Sequence, residues 1–354
     1  MRTPNWVGPA GVLPQPERAV LDFIQEIKRT EQSQRGALVR EEYEARKAAW
    51  VEAHGREPVT LEEVAAVLAG ATTWKFDRAL WRFTQELMYD RIRENLLEQA
   101  AALRAFLDSP TPDAPGTLRL NPALPMPDYF QADFHVQPGG MWKDDLVPFV
   151  TVISNDVFSG GSNVNYEWQA NAARAIPEGT YERILDVGCG FKSTFVLKER
   201  WPEAEVYGID LSAPLLKYAH KLAARKGLAI HFSQQNAEHT DFPDAFFDVV
   251  YSTLLFHEVP DAAAWNIIRE SYRILKPGGW FVIEDTPTYD RLDPFTAHLS
   301  DWNTEHNVEP FWRQACQRDY PALLRAAGFS QVWDPRTASA PMGVVGPRIN
   351  KARK

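Results

Sequence analysis

Residues Ile184 to Thr194 read ILDVGCGFKST, an apolar run entering a turn with glycine at 188 and 190, and the carboxylate Asp210 follows twenty positions after Gly190. Gly188 and Gly190 lack a Cβ, so the backbone can turn sharply and let a ligand approach its amides. A carboxylate ending the next strand can accept both hydroxyls of a ribose. The spacing therefore describes a nucleotide site.

The elements that follow strengthen this reading. Glu205 to Ile209 (EVYGI) reads as a second buried strand ending at Asp210, and Ala213 to Lys226 carries Leu215, Leu216, Ala219, Leu222 and Ala223 at helical spacing. Ile230 to Ser233 is a third strand, followed by the polar turn Asn236, Ala237, Glu238. Phe246 to Ser252 is apolar enough to be covered on both faces. A helix from about Ala262 to Leu275, a Lys276-Pro277-Gly278-Gly279 turn and a strand from Trp280 to Ile283 complete the series. Alternating strands and helices imply a parallel sheet with right-handed crossovers, and ligands of such sheets sit at the strands' carboxyl ends. Gly188, Asp210, Asn236, Ser252 and Asp285 all fall there.

The ordered set ILDVGCG, GIDLS, NAE, FDVVYSTLLFHEV and RILKPGGWFVIED resembles the class I S-adenosylmethionine-dependent methyltransferases, over roughly residues 165 to 347. The resemblance implies an α/β fold: a doubly wound, mainly parallel seven-stranded sheet of Rossmann-like type. Its reversed last strand would come from a hairpin of Phe329 to Asp334 and Met342 to Gly346. It implies S-adenosylmethionine as cofactor, with Asp186, Gly188, Cys189 and Gly190 around the methionine part, Asp210 and Leu211 at the ribose and adenine edge, and Asn236, Ala237 and Glu238 at the adenine. Ser252 to Leu254 would line the sulfonium, and Tyr166 would approach the methionine end. One departure is Lys192, where the family's turn usually has a third glycine. A lysine is a flexible, hydrated charge, so Lys192 is expected in water rather than on the cofactor's carboxylate. Ser193 at the third fingerprint position disfavours the rival reading, an NAD(P)-dependent oxidoreductase. A non-catalytic S-adenosylmethionine-binding protein is the other alternative.

Methyl transfer from a sulfonium mainly requires donor and acceptor to be held in line, with one proton removed where needed. His257 is the first candidate base, because an imidazole titrates near neutrality. Glu258 is a substitute or an anchor for a cationic acceptor, and Asp285 is the alternative base. The histidines at 231, 239, 257, 298 and 306 have no ligand spacing, so no metal is expected. Asp301, Glu305 and His306 read as a polar helix face, though they are where an ion would be sought. The acceptor is expected to be a small apolar or aromatic molecule methylated at oxygen or carbon. The long insertion Thr286 to Phe311, with Tyr289, Phe295, Trp302 and Phe311, would contribute to its pocket.

Composition bounds the rest. The chain has 354 residues, 45% of them apolar and 24% charged, enough for two globular domains. A net charge of −9 argues against a nucleic-acid partner. With no membrane span, no leader and two cysteines, a reducing cytoplasm fits best. Residues 1–135 are expected to form a helical domain, 136–347 the methyltransferase domain and 348–354 a basic tail in solvent. The helical half would act as a lid, as a dimerisation unit pairing two copies of the chain, or both. Its signals are an apolar stripe from Glu17 to Arg29, a capping box of Thr60 and Glu63, and one long helix from Trp74 to Leu107. Glycine pairs at 139–140 and 160–161 suit a loop that closes over a ligand.

Overall fold

A computed structural model describes residues 15–30, 34–161, 163, 166–333 and 348–354. Its centre is one sheet of eight strands: β1 (Thr117–Arg119), β2 (Arg183–Val187), β3 (Glu205–Asp210), β4 (Ile230–Gln234), β5 (Phe247–Thr253), β6 (Leu275–Asp285), β7 (Gln331–Trp333) and β8 (Arg348–Arg353). The spatial order is β1-β4-β3-β2-β5-β6-β8-β7, with β8 antiparallel to both its neighbours and every other pair parallel. The chain leaves β2 toward one edge and returns to build β5 and β6 on its other side. The crevice between β2 and β5 is thus the topological switch point, where ligands of open α/β sheets bind.

The expected doubly wound sheet is present, with two differences. First, β1 adds an eighth strand at the β4 edge. Second, Arg348–Arg353 is a strand between β6 and β7 and not a basic tail in solvent. Its alternation accounts for this: Ala352 is buried against the sheet, while Lys351 and Arg353 lie over the rings of Trp333 and Trp280. Lys354 ends the strand by donating to the carbonyls of Tyr272 and Leu275 at 2.7 and 2.8 Å. Met342 to Gly346, expected as the hairpin's second arm, lie outside the described residues.

The N-terminal half is helical as expected. Helices span Gln15–Thr30, Gly36–His54, Leu61–Leu68, Thr72–Glu98 and Ala100–Asp108, and Thr60 and Glu63 close the capping box. The single long helix expected to Leu107 is interrupted at Gln99, whose φ of −111° and ψ of 6° leave the helical region. Leu21, Ile24, Met88, Ile92, Leu96 and Leu103 belong to the same apolar cluster as Ile184, Phe232, Val249 and Val282 of the sheet. A division at residue 135 therefore does not separate two cores. No helix among the described residues is long and apolar enough to cross a membrane.

Entry into β1 depends on Gly116, where an added Cβ would stand 2.0 Å from the Ile230 carbonyl oxygen of β4. Backbone cannot swing aside as a side chain can. Gly116→Ala is expected to destabilise the fold by about 1–3 kcal/mol in urea unfolding, the range typical of overpacking. An unchanged midpoint would show that β1 does not need this approach.

Candidate active site

At the carboxyl end of β2 the turn adopts left-handed conformations at Gly188 (φ 68°) and Gly190 (φ 49°). A Cβ on Gly190 would meet nothing within 4 Å, so this side of the turn is open space into which a ligand fits. A Cβ on Gly188 would stand 2.9 Å from Leu255, which follows β5, so the two walls of the crevice touch here. Asp210, ending β3, holds the turn: its Oδ2 accepts the Gly190 N–H at 2.9 Å and its Oδ1 accepts that of Ser212 at 2.8 Å. Burial raises its pKa, opposed by these two N–H donors. Each oxygen has a second lone pair, so the carboxylate can still accept hydroxyls.

Three polar atoms beside the turn are buried without a hydrogen-bond partner among the described residues: Asp186 Oδ1 and the hydroxyls of Thr194 and Tyr166. Asp186 Oδ2 accepts from Ser193 at 2.6 Å, and burial pushes its carboxyl up to about 7. Orphaned buried groups of this kind are rare in native proteins unless a ligand, ion or water completes them. Cys189 is buried in the turn and Leu211 is partly buried after β3. Asn236, Ala237 and Glu238 form the partly buried turn after β4, where Asn236 Oδ1 accepts the Glu238 N–H at 2.9 Å. Glu238 is engaged on both oxygens, by the Tyr129 hydroxyl at 2.8 Å and by Asn266 at 2.9 Å. Ser252 is placed elsewhere: it is fully buried and donates to the Val187 carbonyl at 3.2 Å, tying β5 to β2.

On the other side of the crevice, residues following β5 and β6 meet two segments from outside the sheet. His257 Nδ1–H donates to Asp285 Oδ1 at 2.7 Å, and its Nε2 lies 3.5 Å from Glu258 Oε1. Asp285 also accepts the backbone N–H of Phe256 on Oδ2 and of Thr286 on Oδ1, both at 2.7 Å. Buried and bonded on both oxygens, Asp285 orients the imidazole and has no face toward an acceptor. The same Glu258 Oε1 lies 3.1 Å from His135 Nε2, and His135 Nδ1 contacts Glu309 Oε1. The other oxygens, Glu258 Oε2 and Glu309 Oε2, are buried and have no hydrogen-bond partner among the described residues.

Burial opposes charge on both histidines, but the adjoining carboxylates win. Asp285 and Glu258 raise His257 well above its ordinary value, and Glu309 with Glu258 do the same for His135. Glu258 is driven down to about 2 by the two imidazoles against its burial, whereas burial raises Glu309.

The sequence reading contained His257, Glu258 and Asp285 of this cluster and missed His135 and Glu309. His135 lies more than a hundred positions from His257, and Glu309 lies inside a connection read for its aromatic rings, so no spacing pattern connects them. The stretch of Asp301, Glu305 and His306 is not the cluster: Asp301 is bound by Arg313 through both oxygens, at 2.8 and 2.6 Å. Four non-glycine residues around the cluster have left-handed backbones: His135 (φ 59°), Val136 (φ 64°), Leu254 (φ 55°) and Val308 (φ 53°). For β-branched Val136 and Val308 this conformation is strained, and such residues gather at functional sites. Glycine-based turn signals cannot reveal them.

The geometry and the comparisons with known proteins agree. A family model described as a methyltransferase domain matches residues 185–283. The chain is 31% identical over 196 residues to demethylmenaquinone methyltransferase of Thermus thermophilus, covering 50% of this chain and 86% of that one. It is 30% identical over 159 residues to phosphoethanolamine N-methyltransferase 3 of Arabidopsis thaliana, covering 43% of this chain and 29% of the plant enzyme. Among solved structures, Haemonchus contortus phosphoethanolamine N-methyltransferase 2 is similar at 19% identity and a TM-score of 0.42, over 56% of this chain and 45% of that one. The chain belongs to the class I S-adenosylmethionine-dependent methyltransferases.

Lys192 corrects the expectation of a solvated side chain. Its ammonium donates to Asn155 Oδ1 at 2.6 Å, and burial lowers its pKa to about 8 from 10.5. A lysine whose folded value is depressed releases its proton earlier in the native state, so stability rises with pH between about 8 and 10.5. In Lys192→Met that rise should be missing when urea unfolding is compared with the parent across this range. Parallel curves would place the ammonium in water after all.

Proposed function

We propose that this methyltransferase acts on a small apolar or aromatic acceptor and methylates it at oxygen or carbon. The observation that carries this reading is the cluster of His257, Glu258, His135 and Glu309, brought together by the strand ends, the N-terminal half and the insertion after β6. S-adenosylmethionine supplies a methyl group already activated on a sulfonium, so the chain's own groups need only bind, orient and take up a proton. Asp210 would hold the ribose, the open side of Gly190 the backbone-facing part of the cofactor, and Asp186 with Tyr166 its methionine end.

The acceptor side is supported by its surroundings. The Trp312 ring stands edge-on to His257 at 5.2 Å, Phe158 lies 6.2 Å from His135, and Tyr129 packs on Phe311. Aromatic walls beside a few convergent polar groups suit a flat, largely apolar molecule carrying one ionisable group. A hydroxyl or an acidic carbon must lose a proton to become a nucleophile, and the cluster offers the carboxylate oxygens of Glu258 and Glu309 that have no partner among the described residues as acceptors for it. Within it Asp285 positions His257, whose imidazole already holds its proton, which leaves Glu258 as the candidate base.

The segment carrying Tyr129 and His135 reaches both the adenine turn and the cluster. The N-terminal half therefore acts in this reading as the cover of the site, and a cover of this kind excludes a polymeric acceptor.

Methyl-labelled S-adenosylmethionine incubated with fractionated cell extract should deliver label to a low-molecular-weight fraction. Label found only in protein or nucleic acid would overturn the proposal. Calorimetry should give heat with S-adenosylmethionine and none with NAD. Asp210→Ala should weaken cofactor binding by roughly 1.5–3 kcal/mol, the loss typical of a hydrogen bond to a charged group. Unchanged affinity would mean that a different group holds the ribose.

A further inference from the structure

We infer that His135, His257, Glu258 and Glu309 form a binding site for one divalent transition-metal ion. The inference rests on the acceptor-side reading given above and deepens it by naming what the cluster holds. Each of the four residues offers a ligand atom, and these atoms all lie within 4.8 Å of one another. Two imidazole nitrogens and two carboxylate oxygens are a donor set suited to zinc, iron(II), manganese or cobalt; magnesium and calcium prefer oxygen alone.

Three further features point the same way. His257 is arranged as metal-binding histidines commonly are: its Nδ1–H is held by the carboxylate of Asp285, which fixes the tautomer and turns Nε2 toward the cluster. Asp285 is itself fixed by the N–H groups of Phe256 and Thr286, so the orienting shell is complete.

Next, Glu309 is fully buried, and its Oε2, like that of Glu258, has no hydrogen-bond partner. A divalent cation would take the place of the protons that the imidazoles share with these carboxylates, and its two charges would balance Glu258 and Glu309. Asp285 keeps the proton of His257 as its own partner.

Finally, the ligands come from three separate parts of the chain, each braced by other contacts. Gln85 of helix Thr72–Glu98 donates to the His135 carbonyl at 3.2 Å and accepts from the buried Lys28 at 2.7 Å. Arg82 of the same helix bonds the His306 carbonyl, next to the insertion's Glu309. The His135 side chain is 28% exposed, which leaves a path for the ion and for an acceptor oxygen. An ion here would lower the pKa of an acceptor hydroxyl bound to it, its proton leaving to water along that path, so that the oxygen could take the methyl group as the S–CH3 bond breaks and the sulfonium becomes a thioether.

The test uses the full chain after chelator treatment, dialysed separately against zinc, manganese, iron(II) and cobalt. Metal per chain would be measured by mass spectrometry, with visible absorption as the readout for bound cobalt. One ion per chain is expected. His135→Ala and Glu309→Gln should each weaken binding at least tenfold, and Asp285→Asn by roughly ten- to a hundredfold, the range found for partners that orient a ligand. Heat of S-adenosylmethionine binding, measured on the same variants, should be retained and so shows that they are folded. Absence of stoichiometric binding for all four ions overturns the site, as does equal affinity in His135→Ala and Glu309→Gln variants that still bind the cofactor. The two readings fail separately. Methyl transfer by a chelator-treated chain that binds no ion removes the metal and leaves the acceptor reading. A bound ion without transfer to any small molecule keeps the metal and removes that reading.

Discussion

The arrangement at the mouth of the sheet is governed by charge in a space with little water. Glu258, Glu309 and Asp285 bring three carboxylates together, and His135 and His257 are the basic groups in direct contact with them. Charges taken out of water are costly unless each finds a partner. His257 is therefore held by Asp285, and Glu258 sits between two imidazoles. His135 touches carboxylates through both ring nitrogens. Removing any member leaves an opposite charge stranded, so the segments that carry them are bound to one another. The loops after β5 and β6, the segment before residue 140 and the insertion around residue 309 all converge for this reason.

The helical half is consequently part of the site rather than an appendage. Helix Thr72–Glu98 braces His135 through Gln85 and the insertion through Arg82. Tyr129 reaches the turn after β4 and donates to Glu238. Its apolar residues share a core with β2, β4, β5 and β6, and β1 enlarges the sheet itself. A methyl donor bound over Gly190 and an acceptor bound near His257 would both lie beneath elements drawn from this half.

How much of this could be read from the chain alone follows from which signals are local. The alternation of strands and helices, the glycine turn and Asp210 are set by runs of a few residues with a definite period, and the mainly parallel, doubly wound sheet follows from them. β1 was hidden because Thr117–Arg119 is too short to show alternation, and its place is set by contact with β4. Arg348–Arg353 reads as a solvated tail because four of its six residues are polar or charged. Its place in the sheet is set by pairing with β6 and β7 and by the tryptophan rings under Lys351 and Arg353, none of which is local in sequence. The site divides in the same way. His257, Glu258 and Asp285 follow strands and stand where a ligand is expected, whereas His135 and Glu309 are recruited by tertiary contacts. Lys192 was misjudged because its partner, Asn155, belongs to a different helix.

β1 also decides what kind of unit this chain is. Among the described residues, a three-residue strand seated where Gly116 lets the backbone close in is what pairs with the outer edge of β4. A shortened chain beginning near residue 136 would keep every motif of the methyltransferase half yet bare the row of amides and carbonyls along β4. Such a row invites pairing with a neighbouring molecule. Excision of the methyltransferase half would thus have to supply a new cover for the edge of β4 before it could serve as a separate unit.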